Sequence, residues 1–219
     1  MTLRRLFMLA LLGVPLAACQ SLQTPPEASI VKAEADPYDG WYIGSMPDKP
    51  HDVPLVDRNK MEAKFSRQTV EYKGGEKPGT IVVDIDERFL YLVQPDGKAV
   101  RYGVGVGKQG FSWKGVASVG RKGVWPSWIP TKTMVGIKPD LPRYVEAGLE
   151  NPLGARALYL YQNGQDILFR IHGTNEPWSI GEQVSSGCVR MLNEDVVDLY
   201  ERVPTGTTVY VKRNGRYRV

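Results

Sequence analysis

Two histidines and two cysteines occur in 219 residues, and one of each falls in the stretch IHGTNEPWSIGEQVSSGCVRM, Ile171 to Met191. His172 ends a strand-like run, LFRIH, and Cys188 follows sixteen residues later. Gly173, Pro177, Gly181 and Gly187 lie in the connection, giving it the backbone freedom to fold back and set the thiol beside the imidazole. That pairing suits nucleophilic acyl chemistry. An isolated thiol has a pKa of about 8.5 and is mostly protonated at neutral pH, whereas a neighbouring imidazole can take the proton and leave a thiolate. The other ring nitrogen then needs an acceptor, a side chain or a backbone carbonyl, to fix the tautomer. Attack on a carbonyl carbon creates an oxyanion, for which the Ser-Gly turn before Cys188 offers backbone N–H donors, since Gly187 permits geometry that larger residues resist. Arg190 is placed where its planar fork could bind a substrate carboxylate. On residue types alone the pair also reads as a buried small hydrophobe and a satisfied structural histidine.

A scaffold must position these residues, and the sequence from Gly79 onward reads as one rich in strands. Alternating and β-branched runs at Ile81 to Ile85, Phe89 to Gln94 and Ala99 to Val106 are separated by DER and by the turn PDG. Further strands are expected at Ala157 to Gln162 and Ile167 to Ile171 around the turn NGQD, and TTVYVKR forms a last one. Gly115 to Gly154 reads as loop, and its Gly123 to Met134 part, GVWPSWIPTKTM, as either a substrate lid or packed aromatic surface. Asn193 is the expected N-cap of a short helix. Glu194 and Asp195 suit its positive end, Val196, Val197, Leu199, Tyr200 and Val203 form its apolar face, and Pro204 stops it. The fold class is therefore mainly β with one short helix, not a βαβ repeat. No CxxC or HExxH spacing is present, so no metal and no cofactor is expected.

The opening MTLRRLFMLALLGVPLAACQS sets Arg4 and Arg5 before an apolar run, Leu6 to Ala18. Thirteen residues span roughly 20 Å as a helix, short of the ~30 Å hydrocarbon core, so residues 1–18 read as a signal peptide rather than a transmembrane helix. Leu16-Ala17-Ala18-Cys19 resembles the bacterial lipobox, which makes Cys19 the lipidation site and implies a membrane anchor. Cys188 is then the one remaining thiol; a Cys19 to Cys188 disulfide is the alternative. Residues 19–78, rich in proline, glycine and charge, read as lipidated N-terminus and flexible tether, with a short helix near Asp57 to Phe65, a strand at Gln68 to Tyr72 and His51 in a solvated loop. The formal charge of +4 includes Arg4 and Arg5, and the remaining basic residues are dispersed, which argues against nucleic acid as a partner.

The stretch around His172 and Cys188 resembles the active-site signature of the L,D-transpeptidase (YkuD) family: a histidine, a loop of similar length, then serine or threonine, histidine, glycine, cysteine and an arginine. The matched positions are His172, Gly173, Thr174, Asn175, Gly181, Ser185, Gly187, Cys188 and Arg190, and the resemblance extends to WPSWIPTKTM and NPLGARALYL. Ser186 stands where many members carry histidine, leaving His172 as the base. The resemblance covers about Gly79 to Lys212, so residues 79–212 are the expected catalytic domain and 213–219 a C-terminal tail. It implies a mixed β-sandwich with Cys188 as nucleophile, His172 as general base, the Gly173 carbonyl orienting the imidazole, and the Gly187 and Cys188 amides as oxyanion hole. Arg190, Ser186, Asn175 and Trp178 are the implied substrate-binding residues. The implied reaction takes a peptidoglycan tetrapeptide stem, releases its terminal D-alanine, and passes the acyl group to an amine on another stem or on an outer-membrane protein or lipoprotein. Hydrolysis of the same thioester, as a carboxypeptidase or endopeptidase, and a non-catalytic wall-binding lipoprotein are the alternatives. The expected location is the periplasmic face of the envelope, on the outer membrane.

Overall fold

The computed structural model describes residues 40–108, 113–185 and 187–216. Cys19, the signal segment and Ser186 lie outside the described residues. In chain order the elements are β1 (Tyr42–Met46), β2 (Val53–Val56), β3 (Gln68–Glu71), β4 (Ile81–Asp84), β5 (Phe89–Val93), β6 (Lys98–Gly103), β7 (Val106–Gly107), β8 (Gly115–Val124) and α1 (Lys132–Ile137). There follow β9 (Arg156–Gln162), β10 (Gln165–His172), β11 (Gln183–Ser185), β12 (Val189–Arg190), α2 (Asn193–Arg202) and β13 (Thr208–Lys212). Nine strands form one mixed sheet in the order β12-β10-β9-β8-β13-β4-β5-β6-β3, while β1-β2 and β11-β7 make two small sheets. The β13-β4 and β10-β12 pairings are parallel and the other pairings of the large sheet antiparallel.

The main apolar core takes residues from distant parts of this sheet: Ile81 and Leu90 from one half, Leu158, Leu160 and Ile171 from the other, and Val196 and Leu199 from α2. The sheet thus curls around a shared interior, with α2 laid against β9 and β10. Strand alternation assigns the faces. On β9, Leu158 and Leu160 enter the core, while Ala157, Tyr159 and Tyr161 take the opposite side.

Several expectations are corrected here. The segment 41–71 is not a tether, because it is held on the catalytic domain by partly buried ion pairs and apolar packing. Asp48 takes a bidentate fork from Arg156, at 2.7 and 2.9 Å, and accepts from Trp125 Nε1 at 2.9 Å. Arg58 reaches Glu194 and Asp195, each at 3.0 Å, and Val53, Val56 and Phe65 are buried. In place of the short helix stand two 3-10 turns, Arg58–Lys60 and Ala63–Phe65. His51 is half-buried, its ring edge-to-face with Trp125 at 5.1 Å, rather than solvated.

Gly115 to Val124, expected within a loop, forms the longest strand, its glycines masking the pattern. The six-residue α1 was also expected to be loop; Thr131 caps it by accepting from the Met134 amide. Leu192, not Asn193, occupies the N-cap of α2. Asn193 is the first helical residue, and its side chain is spent elsewhere.

Candidate active site

The site grows from the cleft-facing side of β8, β9, β10 and β12. In the parallel pairing of β10 with β12, His172 sits opposite Arg190 and Ile171 opposite Val189. Cys188, two residues before Arg190, therefore lies level with Arg170, and side chains alternate so that Arg170, His172, Cys188 and Arg190 share a face. All four line a cleft of about 1150 Å³. His172 and Cys188 are diagonal neighbours across adjacent parallel strands, one strand spacing across and two residues along, roughly 8 Å apart along the backbones.

His172 is buried, with its Nδ1 2.5 Å from the Gly173 carbonyl oxygen. With Nδ1–H as donor, Nε2 carries the free lone pair. Burial first, then the positive charge of Arg190, pushes the imidazole pKa down to about 3, against the opposing pull of the Gly173 and Pro152 carbonyls. Cys188 is half-buried, and its Sγ lies 3.9 Å from the Leu168 carbonyl oxygen. Burial pushes its thiol up, while the Arg170 amide and the Arg170 and Arg190 charges favour the thiolate. Both groups are thus held neutral at rest.

The Gly173 hinge is built by Asn193. Its Oδ1 accepts from the Ala155 amide at 3.0 Å and its Nδ2 donates to the Thr174 carbonyl at 2.9 Å, all buried. A Cβ on Gly173 or on Gly154 would collide with Asn193 Oδ1. The turn before Cys188 is built by Ser185, whose hydroxyl donates to the Cys188 carbonyl at 2.6 Å and accepts from the Gly187 amide at 3.2 Å. Gly187 has φ 137°, a value side chains disfavour.

A family model for the L,D-transpeptidase catalytic domain, YkuD, matches residues 78–211. The chain belongs to the L,D-transpeptidase (YkuD) family. Its curated relatives include "Probable L,D-transpeptidase ErfK/SrfK" of Escherichia coli K12, 37% identical over 140 residues, covering 60% of this chain and 43% of that protein. "Probable L,D-transpeptidase YcfS" of the same organism is 32% identical over 191 residues, covering 83% and 58%. The chain therefore spans about half the length of these relatives. Among solved structures, one from Brucella melitensis described as a probable carnitine operon oxidoreductase shares 48% identity, covering 69% of this chain and 96% of that one with a TM-score of 0.47. An L,D-transpeptidase from Mycobacterium smegmatis shares 20%, covering 61% and 58%, with the same TM-score.

Within this L,D-transpeptidase domain the remaining expected site residues fall in different places. The Gly187 N–H is directed at Ser185 Oγ, so it faces its own turn rather than an open hole. Arg190 is not free to clamp a carboxylate with its whole fork, because Nη1 is ion-paired to Glu176. Asn175 lines the cleft and donates to the Glu150 carbonyl at 3.1 Å; Trp178 lines it too, edge-to-face with Trp41 at 6.0 Å. The aromatic region divides. Trp125 is buried against Asp48, whereas Trp128, Ile129, Met134 and Ile137 form a wall of the cleft, closed by paired hydrogen bonds of 2.9 Å between Trp128 and Val145. Residue types did not reveal Asn193, Ser185 and Arg170 as contributors. The matching of Ser185 to the family signature was the one available sign.

Proposed function

We propose that the domain is a cysteine acyltransferase acting on peptidoglycan stem peptides, with Cys188 as nucleophile and His172 as base. One observation carries the reading: in a chain of this family, a neutral imidazole oriented through Nδ1 by the Gly173 carbonyl shares a cleft face with a half-buried thiol. In the resting arrangement the thiol lies against the Leu168 carbonyl, so the reaction begins with rotation of Sγ toward His172 Nε2. The proton passes to Nε2 as sulfur bonds to the carbonyl carbon of the third stem residue. As the thiol gives up its proton the Arg170 and Arg190 charges favour the negative sulfur, and the tetrahedral oxyanion and imidazolium then formed need exist only during the transfer. Collapse of the tetrahedral species breaks the amide bond, and His172 returns the proton to the departing amine of D-alanine. An acceptor amine then attacks the thioester, its proton passing through His172 again, and Cys188 is released as the thiol.

The Cys188 amide, and the Gly187 amide once Ser185 releases it, are the donors nearest the developing oxyanion. The acceptor is an amine of a second stem or of an envelope protein, and Cys19, when lipidated, tethers the domain to the outer membrane. Mass spectrometry of the protein incubated with a disaccharide tetrapeptide, alone and with an amine acceptor, reads acyl-enzyme, hydrolysis and transfer together. The expected result is an adduct on Cys188 that disappears on adding acceptor as a dimer forms. A full turnover by the Cys188→Ala protein would sink the assignment, and hydrolysed product alone would make water the acceptor.

A further inference from the structure

Strand alternation in β8 sends Ala117 and Val119 into the core, which would take Arg121 there too. It does not go there. Ser118 pairs with Tyr161 and Val119 with Leu160, yet Arg121 pairs with Tyr159, so Gly120 is an extra residue in the ladder. This β-bulge turns Arg121 onto the cleft face. Gly120 is needed there, because a Cβ would run into the Tyr161 ring. A second irregularity, in β10 between Asp166 and Arg170, sets Arg170 opposite the same Tyr159 from the other side. Leu168 lies within it at φ 58°.

The two arginines therefore flank one ring, Arg121 with its guanidinium carbon 3.4 Å from the Tyr159 centroid and Arg170 at 4.6 Å. Their charges are treated differently. Arg170 is neutralised by a bidentate pair with Asp166 at 2.7 and 2.9 Å, while Arg121 has no carboxylate partner among the described residues. A bulge that places an exposed, unpaired guanidinium in the cleft, stacked so that its plane is fixed, makes a pre-organised receptor for a planar anion.

Its distance from Cys188 selects which anion. Cys188, Arg170, Tyr159 and Arg121 form one row across adjacent strands, so the ends are separated by three strand spacings, roughly 14 Å. The carboxylate of the departing D-alanine lies only three bonds, about 4 Å, from the reacting carbonyl and stays near Arg170 and Arg190. A carboxylate six bonds away, at the end of a long side chain on the donor residue, extends about 7–8 Å, and with the carbon–sulfur bond and one hydrogen bond reaches about 12 Å. Arg121 leaning back over Tyr159 spans the rest.

We propose that Arg121 is a specificity-determining residue that binds the side-chain carboxylate of the acyl donor, selecting a diamino acid whose side chain ends in both amine and carboxylate over one whose carboxylate is amidated. This rests on the acyltransferase reading, and the test separates the two. Two synthetic tetrapeptides, identical except for a carboxylate or a carboxamide at that position, are titrated calorimetrically into the full chain carrying Cys188→Ala. The acid is expected to bind about 10- to 100-fold more tightly, the range of a charge-assisted fork. Adding Arg121→Ala should collapse that ratio to within about twofold, and Arg121→Lys should restore part of it, because a point charge replaces the fork. Equal binding of the two peptides, or an Arg121→Ala loss that affects both equally, overturns the proposal. Turnover of the same peptides by the protein with Cys188 intact reads the reaction separately. A protein that prefers the acid but turns over neither refutes the acyltransferase reading alone, and turnover without preference refutes the Arg121 assignment alone.

Discussion

Replacing Asn193 by alanine tests whether the hinge at Gly173 is built from α2. By helix propensity the change is favourable, so any loss comes from tertiary hydrogen bonds. The side chain satisfies two buried backbone groups, the Ala155 amide at 3.0 Å and the Thr174 carbonyl at 2.9 Å. Stranding each costs about 1–3 kcal/mol, giving about 2–6 kcal/mol in all, a large fraction of the stability of an ordinary domain. Urea unfolding followed by circular dichroism measures this directly. The same substitution frees the Gly173 carbonyl to drift from His172 Nδ1, so acylation of Cys188 should slow by more than the unfolded fraction explains.

A double-mutant cycle sharpens the test. Gly173→Ala should be costly in the intact protein, where its Cβ collides with Asn193 Oδ1, and milder once Asn193 is alanine, because the remaining tight contacts, Ala155 N and Gly154 Cα at 3.1 and 3.2 Å, need give by only a few tenths of an ångström. The expected coupling is about 1–3 kcal/mol. Gly154→Ala should show far less relief, since φ 61° strains a side chain there whatever Asn193 does. An Asn193→Ala protein within about 0.5 kcal/mol of the original, the scale of an ordinary surface substitution, or an additive cycle, would refute the reasoning.

Three further outcomes follow from the same contacts. His172 has a folded pKa lowered to about 3 from 6.5, so between those values the unfolded chain binds a proton that the folded one rejects. Stability should fall with pH across that window by roughly 4 kcal/mol more than in His172→Gln, read from urea midpoints at successive pH values; parallel slopes would disprove it. Arg58→Met should cost about 2–4 kcal/mol at pH 8, leaving Asp195 with only Arg67 at 3.8 Å and Glu194 with only the Val56 amide. Burial raises both carboxyls, so their contribution to stability is lost as pH rises, and the deficit of the variant should narrow at pH 5; a constant deficit would contradict this. Ser185→Ala leaves the buried Gly187 amide and the Cys188 carbonyl unpaired, so it should lower stability by about 1–3 kcal/mol and slow acylation of Cys188 about tenfold beyond what the unfolded fraction explains, whereas an unchanged rate would remove Ser185 from the site.

What was legible in the sequence was local. β4, β5, β6, β9 and β13 follow from alternation bounded by turn residues, each decided within about ten positions. His172 and Cys188 stood out because their residue types are rare in the chain, and the loop between them was rich in glycine. The illegible parts depend on partners far away in sequence. The docking of 41–71 rests on Arg58 meeting Asp195, 137 residues on, and on Asp48 meeting Arg156, 108 residues on. A segment rich in proline and charge reads as solvated until its countercharges are known. Asn193 satisfied every local criterion for a cap, yet its amide bonds Ala155 and Thr174.

The misreadings and the site coincide for a physical reason. Alternation assigns a side chain to core or solvent only while a ladder stays in register, and both strands beside β9 leave register at Tyr159. Each irregularity exchanges local pairing for a side chain aimed at the cleft: Gly120 delivers Arg121, and the Asp166 to Arg170 bulge delivers Arg170 while its Leu168 carbonyl meets the Cys188 thiol. A perfectly alternating β8 and β10 would have been easier to read and would have turned Arg121 into the core. The glycine that made β8 look like a loop is the residue that lets Tyr161 lie across the bulge, so the same atomlessness that hid the strand positions the charge. Restoring a side chain at Gly120 should therefore perturb donor selection through Arg121 while leaving the geometry at His172 and Cys188, two and three strands away, intact. Donor preference and the rate of thiol acylation, measured on one Gly120→Ala protein, should separate, and their falling together would mean that the bulge supports the whole face rather than one arginine.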